Sequence, residues 1–229
     1  AVTYHEYSES NVTSAASAPK LDATGYVADS VMAAVRNASR SLPSPSPMLE
    51  GLRVWAGEIG PHNGGSPPCN SSFERWANFA DSIWYADALG SKAARGHAAF
   101  CRQDLVGADY GMLDCATHNP TPDYYTGLLW TRLMGRAVLR ATVATTDTGA
   151  RGSQVRAYAA CARAGAAGGG AGGLALLLLN IGTSSINVSV QRLPSTSSAA
   201  SPSAPAAPQP WQWQQQRGRQ EEQYLYHQY

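Results

Sequence analysis

The chain has 229 residues, of which 44% are hydrophobic, enough to bury the core of one large domain. Its 17 basic and 16 acidic residues leave a net charge of +1, so it lacks the basic field that attracts nucleic acid or an anionic membrane. The longest apolar run, LALLLL at residues 174–179, is too short to span a bilayer. We therefore expect a globular protein with no nucleic-acid partner and no transmembrane segment in this chain.

The N-terminal half reads as alternating strands and helices. Residues 1–7, AVTYHEY, alternate like a strand and end in a polar cluster. A helix is predicted over residues 21–42, where Val and Met recur at helical spacing before Pro43. A second strand is predicted at residues 52–56, so the order is strand, helix, strand.

The stretch LRVWAGEIGPHNGG, at residues 52–65, joins a strand signal to a Gly-rich loop. It places Glu58 at the carboxyl end of the strand, directly before a loop that cannot continue any strand. Because α/β barrels keep their chemistry at the C-terminal ends of their strands, Glu58 is a candidate catalytic residue. The alternative interpretation is an exposed loop acid.

Two more strand and helix signals follow. Apolar residues recur every three or four positions from 72 to 89, which predicts a helix packed on a sheet and capped by Gly90. A third strand, at residues 97–101, delivers the polar run RQD at its end, and another helix is predicted over residues 123–134. Three βα units in a row predict part of a parallel sheet or barrel.

After Gly135 the pattern changes from period 3.6 to period 2. This predicts strands without intervening helices, as in an antiparallel β-sandwich or an appended sheet. The four strand ranges are 137–144, 154–162, 174–181 and 186–193. A Pro/Ser/Ala linker follows, and then a Gln- and Tyr-rich tail with one more strand around residues 223–226. The predicted domains are residues 1–136, 137–193 and 194–229.

The four cysteines lack the CxxC spacing of a zinc site, and we predict neither a metal nor a cofactor. Cys69 and Cys115 fall in predicted loops, where they either pair in an oxidising compartment or remain partly buried thiols. Four Asn-X-Ser/Thr sequons are compatible with a secreted glycoprotein. They begin at Asn11, Asn37, Asn70 and Asn187.

Several linked motifs resemble the heparanase family of glycoside hydrolases, the endo-β-glucuronidase-like group. In chain order they read WAGEIGPHNGG, SFERWANFADSIWYADALG, FCRQDLVGADYGMLD and PTPDYYTGLLWTRLMG. AVTYHEY is similar to the sixth-strand motif of the family, and EEQYLYH is faintly similar to part of its sandwich. The resemblance covers residues 1–139 well and the remainder weakly.

The resemblance implies a retaining glycosidase built on a (β/α)₈ barrel with a side β-sandwich. This chain would supply the C-terminal part of the barrel, about strands six to eight, followed by a partial antiparallel sandwich. Glu58 matches the nucleophile, which attacks the anomeric carbon while a second acid about 5 to 5.5 Å away protonates the leaving oxygen. The implied substrate is a glycan or glycoside that contains glucuronic acid, cleaved at its β-glucuronosidic bond.

The resemblance also implies roles for five other residues. His5 would orient the nucleophile. Gly64 and Gly65 match the pair whose backbone N–H groups meet the sugar carboxylate. Gln103 and Tyr110 match positions that contact the substrate, Tyr110 through its hydroxyl, and for each of these two a purely structural role is the alternative.

The chain departs from the family because it has no Asn-Glu-Pro motif, which carries the acid/base glutamate at the end of the fourth strand. Counted back from the nucleophile strand as the seventh, the sequence begins at the sixth. We therefore expect a partial sequence that is inactive alone and has an N-terminal barrel segment as its partner. Glu6 is the nearby carboxylate that could substitute as the acid, and Arg102 and His62 are the cationic candidates near the site.

Two rival functions remain in view. A non-catalytic carbohydrate-binding or scaffolding remnant of the same family is the main alternative. An oxidoreductase barrel is disfavoured because no phosphate-binding glycine fingerprint follows a strand. The expected location is extracellular or in the secretory pathway, with membrane or cell-wall association.

Overall fold

The computed structural model describes residues 1–7, 53–61, 79–144, 155–166, 173–182 and 184–191, together with Ser30, Ala33, Ala34 and Asn37. Its elements are two helices and two three-stranded sheets, a mixed α/β arrangement. Residues 186–191 belong to a second compact unit and have no regular secondary structure. The elements below all lie in the first unit.

A parallel sheet carries the N-terminal elements. Its strands are β1 (Val2–Tyr7), β2 (Val54–Gly60) and β3 (Ala99–Arg102), in that order across the sheet. The register of β1 against β2 shifts after Tyr4, and this irregularity brings His5 opposite Glu58. The predicted first and third strands are confirmed to within two residues at each end, and the second is longer than predicted.

One face of this sheet is covered by helix α1 (Phe79–Ala94), which is followed along the chain by β3 and then by helix α2 (Pro122–Leu133). The core cluster between sheet and helices is apolar, consistent with the predicted helical stripe. Its buried members are Ala56, Ile59, Trp84, Tyr85, Ala88, Leu89, Phe100 and Met112. On the opposite face, Thr3, His5 and Trp55 are exposed, so polar side chains of the strands are free to line a site there.

The second sheet is antiparallel. Its strands are β4 (Met134–Leu139), β5 (Val155–Ala162) and β6 (Leu174–Asn180), with β5 in the centre. Strand β4 follows α2 directly, so the predicted strand at residues 137–144 in fact begins three residues earlier and ends five residues earlier. The fourth predicted strand, at residues 186–193, is wrong for its described part, because residues 186–191 pair with no strand of the described chain.

Other predictions are tested only in part. Ser30, Ala33, Ala34 and Asn37 are helical, in agreement with a helix over residues 21–42, while the linker and tail at 194–229 lie outside the described residues. Cys115 is disulfide-bonded, so it is not an unpaired thiol, and Cys69 lies outside the described residues. Neither described helix is long and apolar enough to cross a membrane.

The predicted cap at Gly90 is wrong, because α1 continues four residues past it to Ala94. Gly90 instead makes room for a neighbouring side chain. A Cβ built on it would lie 2.2 Å from Cδ2 of Tyr158 on β5. The Tyr158 ring cannot easily move away, because its hydroxyl donates a 2.6 Å hydrogen bond to Asp87 on α1. A close helix-to-sheet contact therefore requires glycine where the sequence indicated a helix end.

A buried ionic cluster joins both helices to the end of β3. The guanidinium of Arg102 donates to Asp123 of α2 at 2.7 Å and to Asp81 of α1 at 3.2 Å. All three side chains are at most 1% exposed. Burial, together with the neighbouring carboxylate of Asp123, raises the pKa of Asp81 well above its usual range.

One proton and one guanidinium therefore balance two carboxyl groups. Burial raises the pKa of Asp123 as well, and we assign the proton to Asp81 because Asp81 lies farther from Nη2 of Arg102, 3.2 Å against 2.7 Å for Asp123. In this state the cluster is neutral overall, which is the condition under which buried charges are tolerated. Asp123 is then the carboxylate that compensates Arg102.

We expect Asp81→Asn to make stability less dependent on pH. A folded-state pKa raised above that of the unfolded chain contributes stability that is complete below about pH 4 and is lost as pH rises through the folded value. Asparagine cannot ionise, so this loss should disappear in the variant. The measurement is the free energy of unfolding from urea titrations at several pH values between 4 and 8.

The matched control is Asp123→Asn, which removes the charge partner of Arg102. Breaking a buried ion pair in this way costs about 3 to 5 kcal/mol, so this variant should be much less stable at every pH. If instead Asp81→Asn proved the more damaging change, the assignment of the proton to Asp81 would be wrong.

Gly90→Ala should destabilise the chain despite the better helix propensity of alanine. The new methyl overlaps the Tyr158 ring, and overpacking of this kind costs about 1 to 3 kcal/mol. In a Tyr158→Ala background the overlap is gone, and the same change should be neutral or stabilising by up to about 1 kcal/mol. Urea unfolding of the four proteins of this cycle measures the difference. Equal costs in both backgrounds would contradict the contact.

Candidate functional site

Glu58 lies on β2, two residues before the strand ends at Gly60. It therefore lies near the carboxyl end of the strand, as the sequence predicted. Its side chain is about one-third exposed and lines an open pocket of about 310 Å³. The pocket is also lined by side chains or backbone of β3 and the segment after it, including Cys101, Gln103 and Asp104.

Tyr7, at the end of β1, donates a hydrogen bond from its hydroxyl to Oε1 of Glu58. Burial, followed by this contact with the carboxylate, raises the pKa of Tyr7, so the phenol keeps its proton and remains a donor. Gly60 makes room for the ring, because a Cβ there would lie 2.8 Å from Cε1 of Tyr7. The glycine at the end of β2 thus lets the Tyr7 ring at the end of β1 come close enough to form this hydrogen bond.

Gln103 reaches Glu58 from the other side, just past the end of β3. A carboxylate can only accept hydrogen bonds, so the amide nitrogen of Gln103 must face it. In that orientation the nitrogen donates to Oε1 of Glu58 at 2.5 Å and to the hydroxyl oxygen of Tyr7 at 2.7 Å. Two donors, one at the end of β1 and one just past the end of β3, therefore hold the carboxylate on β2 in one orientation.

His5 is the third group beside Glu58. Its Nδ1 lies 3.5 Å from Oε2 of Glu58, and its side chain is 63% exposed. At this distance the ring would act on the carboxylate through charge, when protonated, more than through a close hydrogen bond. The structure thus brings together Glu58, His5 and Gln103, as the sequence predicted.

Tyr110 is buried, with 2% of its surface exposed. It lies near Tyr7, the group that contacts the nucleophile candidate, and contributes to the raised pKa of Tyr7. Burial, followed by the charge of Asp104, raises the pKa of Tyr110. Its proposed contact with a substrate through the hydroxyl stays a prediction, as do the roles of Gly64 and Gly65, which lie outside the described residues.

Two candidates from the sequence do not face the pocket as expected. Glu6 alternates with His5 and Tyr7 on β1 and therefore points to the helical side of the sheet. It forms a buried 2.7 Å ion pair there with Lys92 of α1, so it cannot act as an acid opposite Glu58. The guanidinium of Arg102 is likewise committed to buried carboxylates, and His62 lies outside the described residues.

Tyr7 is the site residue that the sequence analysis did not select. The alternation of a strand could have identified it, because residues two apart on β1 share a face and His5 had already been chosen. Among the described residues, no group of three His, Cys, Asp or Glu side chains could hold a metal ion.

Comparison with known proteins identifies relatives but no matching family model. The chain is 34% identical over 163 residues to heparanase-like protein 1 of Arabidopsis thaliana, an alignment that covers 71% of this chain and 27% of the relative. It is 38% identical over 111 residues to baicalin-beta-D-glucuronidase of Scutellaria baicalensis, covering 48% of this chain and 19% of that protein. It is 37% identical over 100 residues to heparanase of Gallus gallus, covering 43% and 18%.

The alignments thus span between about a fifth and about a quarter of the length of these relatives. All of them name heparanase or a β-glucuronidase. Over its aligned part, this chain belongs to the heparanase-like family.

Proposed function

We propose that Glu58 is the nucleophile of a retaining glycoside hydrolase that cleaves β-glucuronosidic bonds. The observation that carries the proposal is the arrangement of Glu58 between Tyr7 and Gln103 on the open face of a parallel sheet. A nucleophilic carboxylate needs one oxygen aimed at the anomeric carbon, and fixed donors on the carboxylate restrict its orientation. The names of relatives, heparanase and baicalin-beta-D-glucuronidase, support the glycosidic chemistry.

In the proposed reaction, an oxygen of Glu58 forms a bond to the anomeric carbon while the bond to the leaving oxygen breaks. A second carboxylic acid gives its proton to that oxygen and then takes a proton from the water that hydrolyses the glycosyl ester. Glu6 is excluded from this role by its burial with Lys92. We therefore propose that the acid comes from a barrel segment outside the described residues.

The architecture supports placing this chain in a (β/α)₈ barrel. Parallel sheets are normally covered on both faces, yet within the part of the chain that the structure describes, β1, β2 and β3 are covered by helices on one face only. In a barrel the uncovered face would be the interior, where Thr3, His5 and Trp55 would point. The antiparallel strands β4, β5 and β6 would form part of the side sandwich.

The proposed substrate is a glycan or glycoside with a terminal or internal glucuronic acid. Gly64 and Gly65 would meet the sugar carboxylate through backbone N–H groups, and His5, Gln103 and Tyr110 would contact or orient the reacting groups. Among the described residues, His5 lies beside Glu58, and Arg102 borders the pocket but its guanidinium is paired with buried carboxylates. This arrangement favours a substrate with few sulfate groups.

We also propose that the protein works in the secretory pathway or outside the cell, with membrane or cell-wall association. The disulfide at Cys115 supports an oxidising compartment. The sequon residues Asn37 and Asn187 are exposed, so both are accessible to glycosylation.

The proposal is tested by covalent trapping with a reagent that needs no proton donor. In 2-deoxy-2-fluoro-β-D-glucuronyl fluoride the leaving group is fluoride, which departs without being protonated. The bond from Glu58 to the anomeric carbon should form as fluoride leaves, and the fluorine at carbon 2 should slow hydrolysis of the ester. Intact mass and peptide mass spectrometry of the treated chain should show one glucuronyl adduct on Glu58.

Glu58→Gln is the control and should form no adduct. An adduct on another carboxylate would reject Glu58 as the nucleophile. If no adduct forms but the chain binds glucuronic acid in solution, the carbohydrate-binding alternative replaces the enzyme. The matching 2-fluoroglucosyl fluoride, which lacks the carboxylate, should label more slowly if Gly64 and Gly65 bind that group.

Tyr7→Phe should lower the rate of adduct formation by about 10- to 100-fold. The variant keeps the ring over Gly60 but removes the donor to Glu58, and misorientation of a catalytic group costs rate in this range. Tyr4→Phe is the matched control, because Tyr4 lies on the same strand but its hydroxyl pairs with His97 on the helical side, 2.9 Å away. Equal rates for the two variants would argue against the role of Tyr7.

A further inference from the structure

The guanidinium of Arg102 lies directly behind the candidate site. Arg102 and Gln103 are consecutive, so their side chains leave the chain on opposite faces of the sheet. Gln103 turns toward Glu58, whereas Arg102 turns toward the helices and is 1% exposed. The residue that contacts Glu58 is therefore joined by one peptide bond to a buried cation of the described chain's ionic clusters.

Arg102 also bonds to the backbone that carries the site residues. One terminal nitrogen, Nη1, donates to the carbonyl oxygen of Gln103. The other, Nη2, donates to the carbonyl oxygen of Tyr110 at 2.9 Å. The cation lies 5.4 Å from the centre of the Tyr110 ring, within the range of a cation–π interaction. One side chain thus holds both ends of the segment from Gln103 to Tyr110.

The guanidinium is held in place by groups that lie outside the segment from Gln103 to Tyr110. Nη2 also donates to Asp123 of α2 at 2.7 Å and to Asp81 of α1 at 3.2 Å. Trp84 of α1 lies under the guanidinium, with its ring centre 5.3 Å away. Because both helices are part of the packed core, the guanidinium transmits their position to Gln103 and Tyr110.

We propose that Arg102 is a positioning residue, which sets Gln103 and Tyr110 against Glu58 and Tyr7. This inference rests on the proposed role of Glu58 as nucleophile. Arg102 itself touches neither substrate nor reacting atom and acts through the two residues whose carbonyl oxygens it binds.

A planar guanidinium suits this task in a way that an ammonium does not. Arginine offers several N–H donors in a fixed fork, which here point to two carboxylates and two carbonyl oxygens. Lysine keeps the charge and could pair with Asp123, but its three donors on one atom cannot reach both carbonyl oxygens in the same geometry. Replacement of Arg102 by lysine therefore keeps the positive charge but loses the paired hydrogen bonds to the carbonyl oxygens of Gln103 and Tyr110.

The test is Arg102→Lys, with Gly90→Ala as a control that loses stability away from the site. The first readout is the trapping reaction with 2-deoxy-2-fluoro-β-D-glucuronyl fluoride, analysed as a maximum rate and a half-saturating concentration. Arg102→Lys should lower the maximum rate by about 10- to 100-fold, as expected for a catalytic group displaced by about 1 Å. Gly90→Ala should leave the maximum rate within about twofold.

The second readout needs no reaction. In protein labelled with ¹⁵N-glutamine, the side-chain amide signal of Gln103, assigned by its loss in Gln103→Met, should shift when Glu58 is replaced by Gln. This shift reports the contact between the amide and the carboxylate. It should persist in the Gly90→Ala background and fall by at least half in the Arg102→Lys background.

The outcomes separate the two hypotheses. If the unaltered chain forms no adduct, the proposed function fails, and the amide signal alone decides the role of Arg102. An unchanged maximum rate or an unchanged amide shift in Arg102→Lys overturns the positioning role. Should Arg102→Lys fail to fold by circular dichroism, Asp123→Glu replaces it, since it keeps both charges and displaces the anchor by one methylene. If neither variant folds, Arg102 serves the fold as a whole and the proposal is rejected.

Discussion

The buried ion pair between Arg102 and Asp123 is the interaction on which the rest of this structure depends. It joins the end of β3 to α2, and through Asp81 it also joins α1. Burying charges is costly unless each is paired and hydrogen-bonded, so the cluster exists only when both helices are docked. The same guanidinium binds the carbonyl oxygens of Gln103 and Tyr110, which couples the packing of the helices to the candidate site.

The site itself arises from the register of three parallel strands. Tyr7, Glu58 and Gln103 come from three separate strand ends and meet because β1, β2 and β3 are adjacent and run in one direction. The irregularities in the register near Glu58 place this carboxylate opposite His5. The helical face of the same strands holds a different set of polar groups, including the ion pair of Glu6 with Lys92. Alternation along a strand thus separates groups that support the fold from groups that line the pocket.

The relatives in the heparanase-like family are much longer than the part of them that aligns with this chain. The alignments reach at most 27% of the length of the relatives compared above, and the described residues hold one side of the proposed chemistry: a nucleophile candidate and its donors. Glu6 is adjacent to His5 in sequence but lies across the sheet from Glu58. Proximity along the chain was therefore a poor guide to the second carboxylate, because neighbouring residues of a strand point in opposite directions.

The sequence by itself determined most of the element types and the parallel order implied by alternating strands and helices, and it selected Glu58, His5 and Gln103 as candidates that the structure brings together. These follow from local period and from motifs, which depend on residues close together in the chain. Only the tertiary structure decided that Gly90 lies inside a helix, since the reason is the ring of Tyr158, 68 positions later. It also committed the charged groups of Arg102 and Glu6 to buried ion pairs and brought Tyr7 to Glu58. Those outcomes depend on which face of the sheet the helices cover, and that is a property of packing between distant segments.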